Sequence, residues 1–134
     1  MALRVKAGRS KYGVRTDTAG KLARTCDGHV FDSAAECKRY GELKLLEKAG
    51  QIWDLELQPV FPLRVASTTG TALGAAKALA GTHVNCIGLY RADFAYHGPS
   101  GRVVEDLKGF KTPLYSWKKR HVEAQYAIKI REIR

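Results

Sequence analysis

Four stretches of the chain alternate apolar and polar side chains, and two others read as helices. Residues 52–65 (IWDLELQPVFPLRV) alternate and are rich in branched and aromatic types, which predicts a strand. Pro59 and Pro62 inside it point to an edge position or a bulge, because proline donates no ladder hydrogen bond. Strand texture returns over 84–96 (VNCIGLYRADFAY) and again in RVVEDLK; with HGPSG between them the two predict a β-hairpin. IKIREI alternates as a last strand. In FDSAAECKRYGELKLLEKAG, Ser33 followed by Glu36 is a capping box, Gly50 is a natural stop, and Cys37, Tyr40, Leu43 and Leu46 share one helical stripe. Leu114–Tyr126 reads as a second, basic helix. The order α, β, β, β, α, β predicts an α/β chain: one domain with a mixed sheet flanked by helices. Residues 1–30 show no sustained period and predict a basic arm, with room for a short hairpin ending at Cys26-Asp27-Gly28-His29, ahead of a domain over 31–134. Residues 66–82 are rich in Gly and Ala and read as an inserted loop, with a short helix over 73–79.

Charge changes this picture more than composition does. The chain of 134 residues carries a net charge of +10, concentrated at its two ends. Residues 1–30 hold seven basic and two acidic side chains, and residues 108–134 hold eight and two, whereas 31–107 hold eight and nine. A basic excess of this kind points to a polyanionic partner, most often nucleic acid. No apolar run is long enough to span a membrane, and the N-terminal residues lack the apolar stretch of a signal peptide, so a cytoplasmic location is expected. Three cysteines at wide spacing fit a reducing compartment. Cys26, His29, His83 and Cys86 have spacings that zinc tolerates, but buried or solvated side chains are the simpler expectation for them.

The acids of the hairpin supply candidate chemistry. In VVEDLKG, alternation puts Asp106 and Lys108 on one face and Glu105 on the other, which marks Glu105 as a bystander. If His97 closes against Arg102 around a Gly98–Gly101 loop, Asp93 falls opposite Asp106; a three-residue loop would shift the register and turn Asp93 to the wrong face. Carboxylates directly opposite one another repel, and a hard divalent cation between them, shared with substrate phosphate, relieves the repulsion. Lys108 beside Asp106 then suits metal-assisted phosphodiester hydrolysis. The bland alternative is an exposed sheet face on which Asp106 and Lys108 offset each other.

An acid on a helix, an acid in a strand, and acid-x-Lys in the next strand, here FDSAAE, RADF and VVEDLKG with Gln58-Pro59 between them, resemble the PD-(D/E)XK nuclease superfamily. Over roughly residues 12–134 the ordered motifs look like a small phage and prophage family related in pattern to Holliday-junction resolvases. That resemblance implies a restriction-endonuclease-like αβββαβ core and Mg²⁺, with Mn²⁺ as substitute. It implies Asp93, Asp106, the Leu107 carbonyl and Glu36 around the metal, Lys108 at the attacking water, and Gln58 as an accessory residue. Ala92 stands where the family name has proline, and Asp106 where glutamate is commoner. Glu36 has a rival role as the capping glutamate. Lys111, Lys118, Lys119 and Arg120 are expected on DNA backbone, while Tyr115 and Trp117 could meet DNA but are expected mainly in the core. The expected activity is a Mg²⁺-dependent endonuclease on branched DNA, working as a homodimer. The rival from another class is a non-catalytic DNA-binding module with the same fold.

Overall fold

The computed structural model describes residues 13, 14, 16–67 and 83–134, and its fold is mixed α/β with a multi-strand mixed sheet and helices. The 73–79 helix and nearly all of the 66–82 insert lie outside the described residues, although Ala66 and Ser67 belong to a strand. The chain divides into two compact units, Met1–Leu55 and Glu56–Arg134.

In the first unit, helix α1 (Thr18–Leu22) starts at Asp17, whose carboxylate accepts the Gly20 N–H at 2.9 Å. Strands β1 (Thr25–Cys26) and β2 (His29–Val30) then pair as a small hairpin. Its turn, Asp27-Gly28, has positive φ at both residues, which tight two-residue hairpins require and which aspartate and glycine tolerate best. The basic arm is thus folded from Thr18 onward. Helix α2 (Ala34–Lys48) begins and ends as its sequence demands: Ser33 Oγ accepts the Glu36 N–H at 3.2 Å, and Gly50 leaves the helix at φ 69°. Cys37, Tyr40 and Leu43 of the predicted stripe are buried.

Cys26 and Cys37 are joined by a disulfide, leaving Cys86 as the free thiol. This corrects the expectation of three separate thiols. The hairpin returns the chain so that Cys26 on β1 faces the first turns of α2, with Cα atoms 6.0 Å apart, inside bridging range. Because the cross-link closes a short loop within the first unit, reduction with dithiothreitol should destabilise that unit by about 2–3 kcal/mol. Urea unfolding with and without reductant, followed by circular dichroism, measures it; coincident curves would contradict the expectation.

The predicted strand over 52–65 is in fact two, β3 (Trp53–Leu57) and β4 (Val60–Ser67). The one over 84–96 also divides, into β5 (His83–Arg91) and β6 (Phe94–Gly98). Both divide at one level. The Gln58 N–H donates to the Asp93 carbonyl at 2.9 Å, the Ala92 N–H donates to the Pro59 carbonyl at 3.1 Å, and Gln58 turns the chain at φ 48°. Beyond this crossing β4 pairs with β5 in a two-stranded antiparallel sheet, whose register shifts at Leu63/Arg64. The other sheet has the order β3-β6-β7-β8, with β7 covering Gly101–Leu107 and β8 covering Ile130–Ile133.

The β6–β7 hairpin turns at Pro99-Ser100 and pairs Phe94 with Glu105 and His97 with Arg102; the ladder ends at Phe94, and the Asp93 N–H bonds the Glu105 carbonyl instead of continuing the register to Asp106. β7 and β8 are parallel, joined by α3 (Pro113–Tyr126), and pair Asp106 with Glu132. Thr112 caps α3, accepting the Tyr115 N–H at 3.0 Å, and Pro113 follows where a helix has no use for an N–H. Phe61, Leu63, Tyr90, Ala95, Val104, Tyr115, Val122 and Ile130 build the core of this unit.

Candidate functional site

Asp106 is fully buried, with relative exposure of 0%, yet it lines a cavity of about 250 Å³ in the second unit. Lys108, Tyr90, Arg91, Thr112, Tyr115 and Lys118 line the same cavity, with Leu89 and Leu114 supplying apolar wall. Strand alternation carries Asp106 and Lys108 to this one face, and the N-terminal turn of α3 closes over it. The Lys108 ammonium lies 2.8 Å from Asp106 Oδ1 and 5.4 Å from the centre of the Tyr115 ring. The Tyr90 hydroxyl donates to Asp106 Oδ2. Oδ1 has the ammonium as its ionic partner and accepts no hydrogen bond of regular geometry among the described residues. Burial, then the neighbouring Asp106 carboxylate, pushes the Tyr90 hydroxyl far above the ordinary tyrosine range. Tyr115 is pushed up in the same sense, by burial first and then by Asp106 and Glu132.

Asp93 stands at the break between β5 and β6. Its N–H donates to the Glu105 carbonyl at 3.1 Å, and its Oδ2 accepts the Leu107 N–H at 2.6 Å. The carboxylate therefore sits against the backbone one residue beyond Asp106. Asp93 and Gln58 are not among the residues lining the cavity, and Gln58 touches Asp93 through its backbone N–H.

Glu36 is in the other unit, and its helix cap accounts for both carboxylate oxygens. Oε1 accepts the Ser33 hydroxyl at 2.8 Å, and Oε2 accepts the Asp32 N–H at 3.2 Å. Of the residues expected on DNA, Lys118 lines the cavity and donates to the Leu89 carbonyl at 3.0 Å, and Arg120 is exposed. Lys111 and Lys119 are drawn onto Glu132, Lys119 at 2.8 Å, instead of standing free for a phosphate chain. Tyr115 is a core residue, as expected, but Trp117 is 43% exposed and packs beside His121.

Three residues of this region were not legible as such. Glu105 is no bystander: it is wholly buried, accepts the Tyr96 hydroxyl at 2.6 Å and has Arg131 at 3.7 Å. Tyr90 gave no signal, since an aromatic in a strand reads as core. Glu132 did give one, as one of two acids among eight basic residues after Leu107. It also accepts the Tyr115 hydroxyl at 3.1 Å, and hydrogen bonds from Lys111 and Lys119 hold its carboxyl down to about 2. A carboxyl depressed in the folded state contributes stability that is complete above its ordinary value of 4.5 and is lost as pH falls through about 2. Thermal melts between pH 5 and pH 2 should therefore show a steeper decline for the wild type than for Glu132→Gln. Parallel profiles would refute the assignment.

Among the described residues, no group of three or more His, Cys, Asp or Glu side chains is gathered as a metal site. The zinc set weighed from the sequence loses Cys26 to the disulfide, and the His83 side chain lies outside the described atoms. The described site is thus an acid–lysine pair in a basic-walled cavity, on a mixed α/β fold. The chain belongs to the family described as "Protein of unknown function (DUF1064)", whose match spans residues 9–133. Comparison with curated proteins gives no match, and comparison with solved structures gives none.

Proposed function

We propose that the protein is a metal-dependent deoxyribonuclease, an endonuclease that hydrolyses phosphodiester bonds. The observation that carries this reading is the placement of Lys108 on the Asp106 carboxylate within a cavity also bordered by Arg91 and Lys118. The hairpin register supports it, by bringing the Asp93 carboxylate to the backbone next to Asp106.

The donors present fit Mg²⁺ or Mn²⁺. Both ions favour hard oxygen ligands and are often held by one or two carboxylates plus substrate phosphate. Asp106 Oδ1, which accepts no regular hydrogen bond, would be the chief protein ligand, with Asp93 and the Leu107 carbonyl beside it. When bound, the cation supplies charge neutralisation at the phosphate and lowers the pKa of water. The Lys108 ammonium is placed to offset charge that develops on phosphate oxygens, and the Tyr115 ring beneath it keeps it directed into the cavity. Arg91 and Lys118 at the walls would hold flanking phosphates, an electrostatic contact that carries no base sequence. Glu36 enters this reading as a helix cap, and Lys111 and Lys119 as partners of Glu132.

Branched DNA is the proposed substrate class and a homodimer the proposed assembly, because resolving a junction requires two cuts. The test is nicking of plasmid, flap and four-way-junction DNA with Mg²⁺, with Mn²⁺ and with chelator. Cleavage that depends on either ion is expected. DNA binding with no cleavage under any condition would replace this reading with the non-catalytic DNA-binding module.

A further inference from the structure

We infer that Tyr90 is a positioning residue for the metal-binding carboxylate, fixing the plane of Asp106 so that one oxygen stays directed to the ion. The inference rests on the reading of Asp106 as a metal ligand and adds a residue that the sequence motif does not contain.

A buried carboxylate can rotate about its last torsion unless both oxygens are held. Tyr90, on β5 in the other sheet of this unit, reaches Asp106 Oδ2 from the core side and is itself only 4% exposed. Its ring is anchored by the core, with the Phe61 centroid at 6.4 Å and the Tyr115 centroid at 6.3 Å. Each tyrosine has one hydroxyl proton. That of Tyr90 is on Asp106 and that of Tyr115 is on Glu132, and the two neighbouring hydroxyls also interact with each other, so they form one linked clamp on the paired acids of β7 and β8.

Holding Oδ2 also limits Lys108. With Tyr90 on Oδ2, the ammonium lies 2.8 Å from Oδ1. Without it, the freed carboxylate can turn both oxygens toward the ammonium, which then competes with a cation for the same lone pairs. Partners that orient a metal ligand in this way typically contribute about 10–100-fold in metal affinity or activity when removed.

Tyr90→Phe keeps the ring and deletes the hydroxyl. Calorimetric titration with Mn²⁺, in the absence of DNA, should show affinity weakened about tenfold or more. The Mn²⁺ concentration for half-maximal cleavage should rise to match, with the rate at saturating ion largely recovered. A purely structural tyrosine would lower the melting temperature without shifting Mn²⁺ affinity. Wild-type affinity in a folded Tyr90→Phe variant overturns the inference and leaves the nuclease reading intact, whereas no Mn²⁺ binding by the wild type removes both. If the variant fails to fold, the unaltered chain still decides. Saturating Mg²⁺ should perturb its near-ultraviolet tyrosine absorption, and Asp106→Asn should abolish the perturbation. A flat difference spectrum in a wild type that binds the ion overturns the assignment.

Discussion

Asp106→Asn should slow metal-dependent DNA cleavage at least about a thousandfold, equivalent to roughly 4 kcal/mol of lost transition-state stabilisation. The substitution preserves shape and still offers Tyr90 an acceptor, but it removes the negative charge that pairs with Lys108 and that, in the proposed site, would hold the cation. Its amide N–H groups would face an ammonium where Oδ1 now lies 2.8 Å away. The Lys108 pair is therefore lost as well, and a modest fall in melting temperature accompanies the loss of activity. Single-turnover nicking of plasmid DNA in excess Mg²⁺, with circular dichroism to confirm folding, measures both effects. A folded variant that keeps more than about a tenth of the wild-type rate would exclude Asp106 from the chemistry.

One residue earlier, the expected effect is on folding. Glu105→Ala should destabilise the second unit by about 2–4 kcal/mol, because it removes a wholly buried side chain and the acceptor of a buried hydroxyl. Glu105 is wholly buried, its Oε1 accepts the Tyr96 hydroxyl at 2.6 Å, and Arg131 stands at 3.7 Å. Truncation leaves that hydroxyl without its acceptor and opens a void the size of the lost side chain. Glu105→Gln, which keeps an acceptor in place, should be markedly milder. Urea denaturation gives both numbers, and a loss below about 1 kcal/mol for the alanine variant would show that Glu105 is replaceable packing. Adjacent acids of one strand thus separate into a carboxylate facing a cavity and a carboxylate within the fold.

That separation marks where local pattern informs and where it does not. Alternation placed Glu105 and Asp106 on opposite faces, but it could not say that both faces are covered. Burial on each side comes from distant elements: β5 and α3 over Asp106, and Tyr96 with Arg131 at Glu105. The cap of α2, the Asp27-Gly28 turn, the start of α3 and the presence of the β6–β7 hairpin, though not which residues turn it, were legible because each is fixed by residues a few positions apart. The breaks at Gln58-Pro59 and Ala92-Asp93 were less so. They exist through hydrogen bonds exchanged between residues more than thirty positions apart, and each flank alone reads as continuous strand. Shorter separations, of 11 to 21 positions, hid the Cys26–Cys37 bond, the seating of Lys111 and Lys119 on Glu132, and the hydrogen bond from Tyr90 to Asp106. Of the candidate site, the Asp106–Lys108 pair was readable, and most of what surrounds it was not.

The two-residue turn at Pro99-Ser100 also bears on how the second unit assembles in time. It closes the smallest loop available to these strands, so the hairpin that pairs Phe94 with Glu105 carries little closure entropy and can form within microseconds. The parallel partner of β7 arrives only after the chain has wound through α3, a far longer excursion. Glu105 and Asp106 are thus placed beside β6 by a fast local contact, while Glu132, Lys119 and the closing helix come with the slower one. A lesion in the crossover would spare the local pairing of β6 with β7 while removing what is built around Asp106.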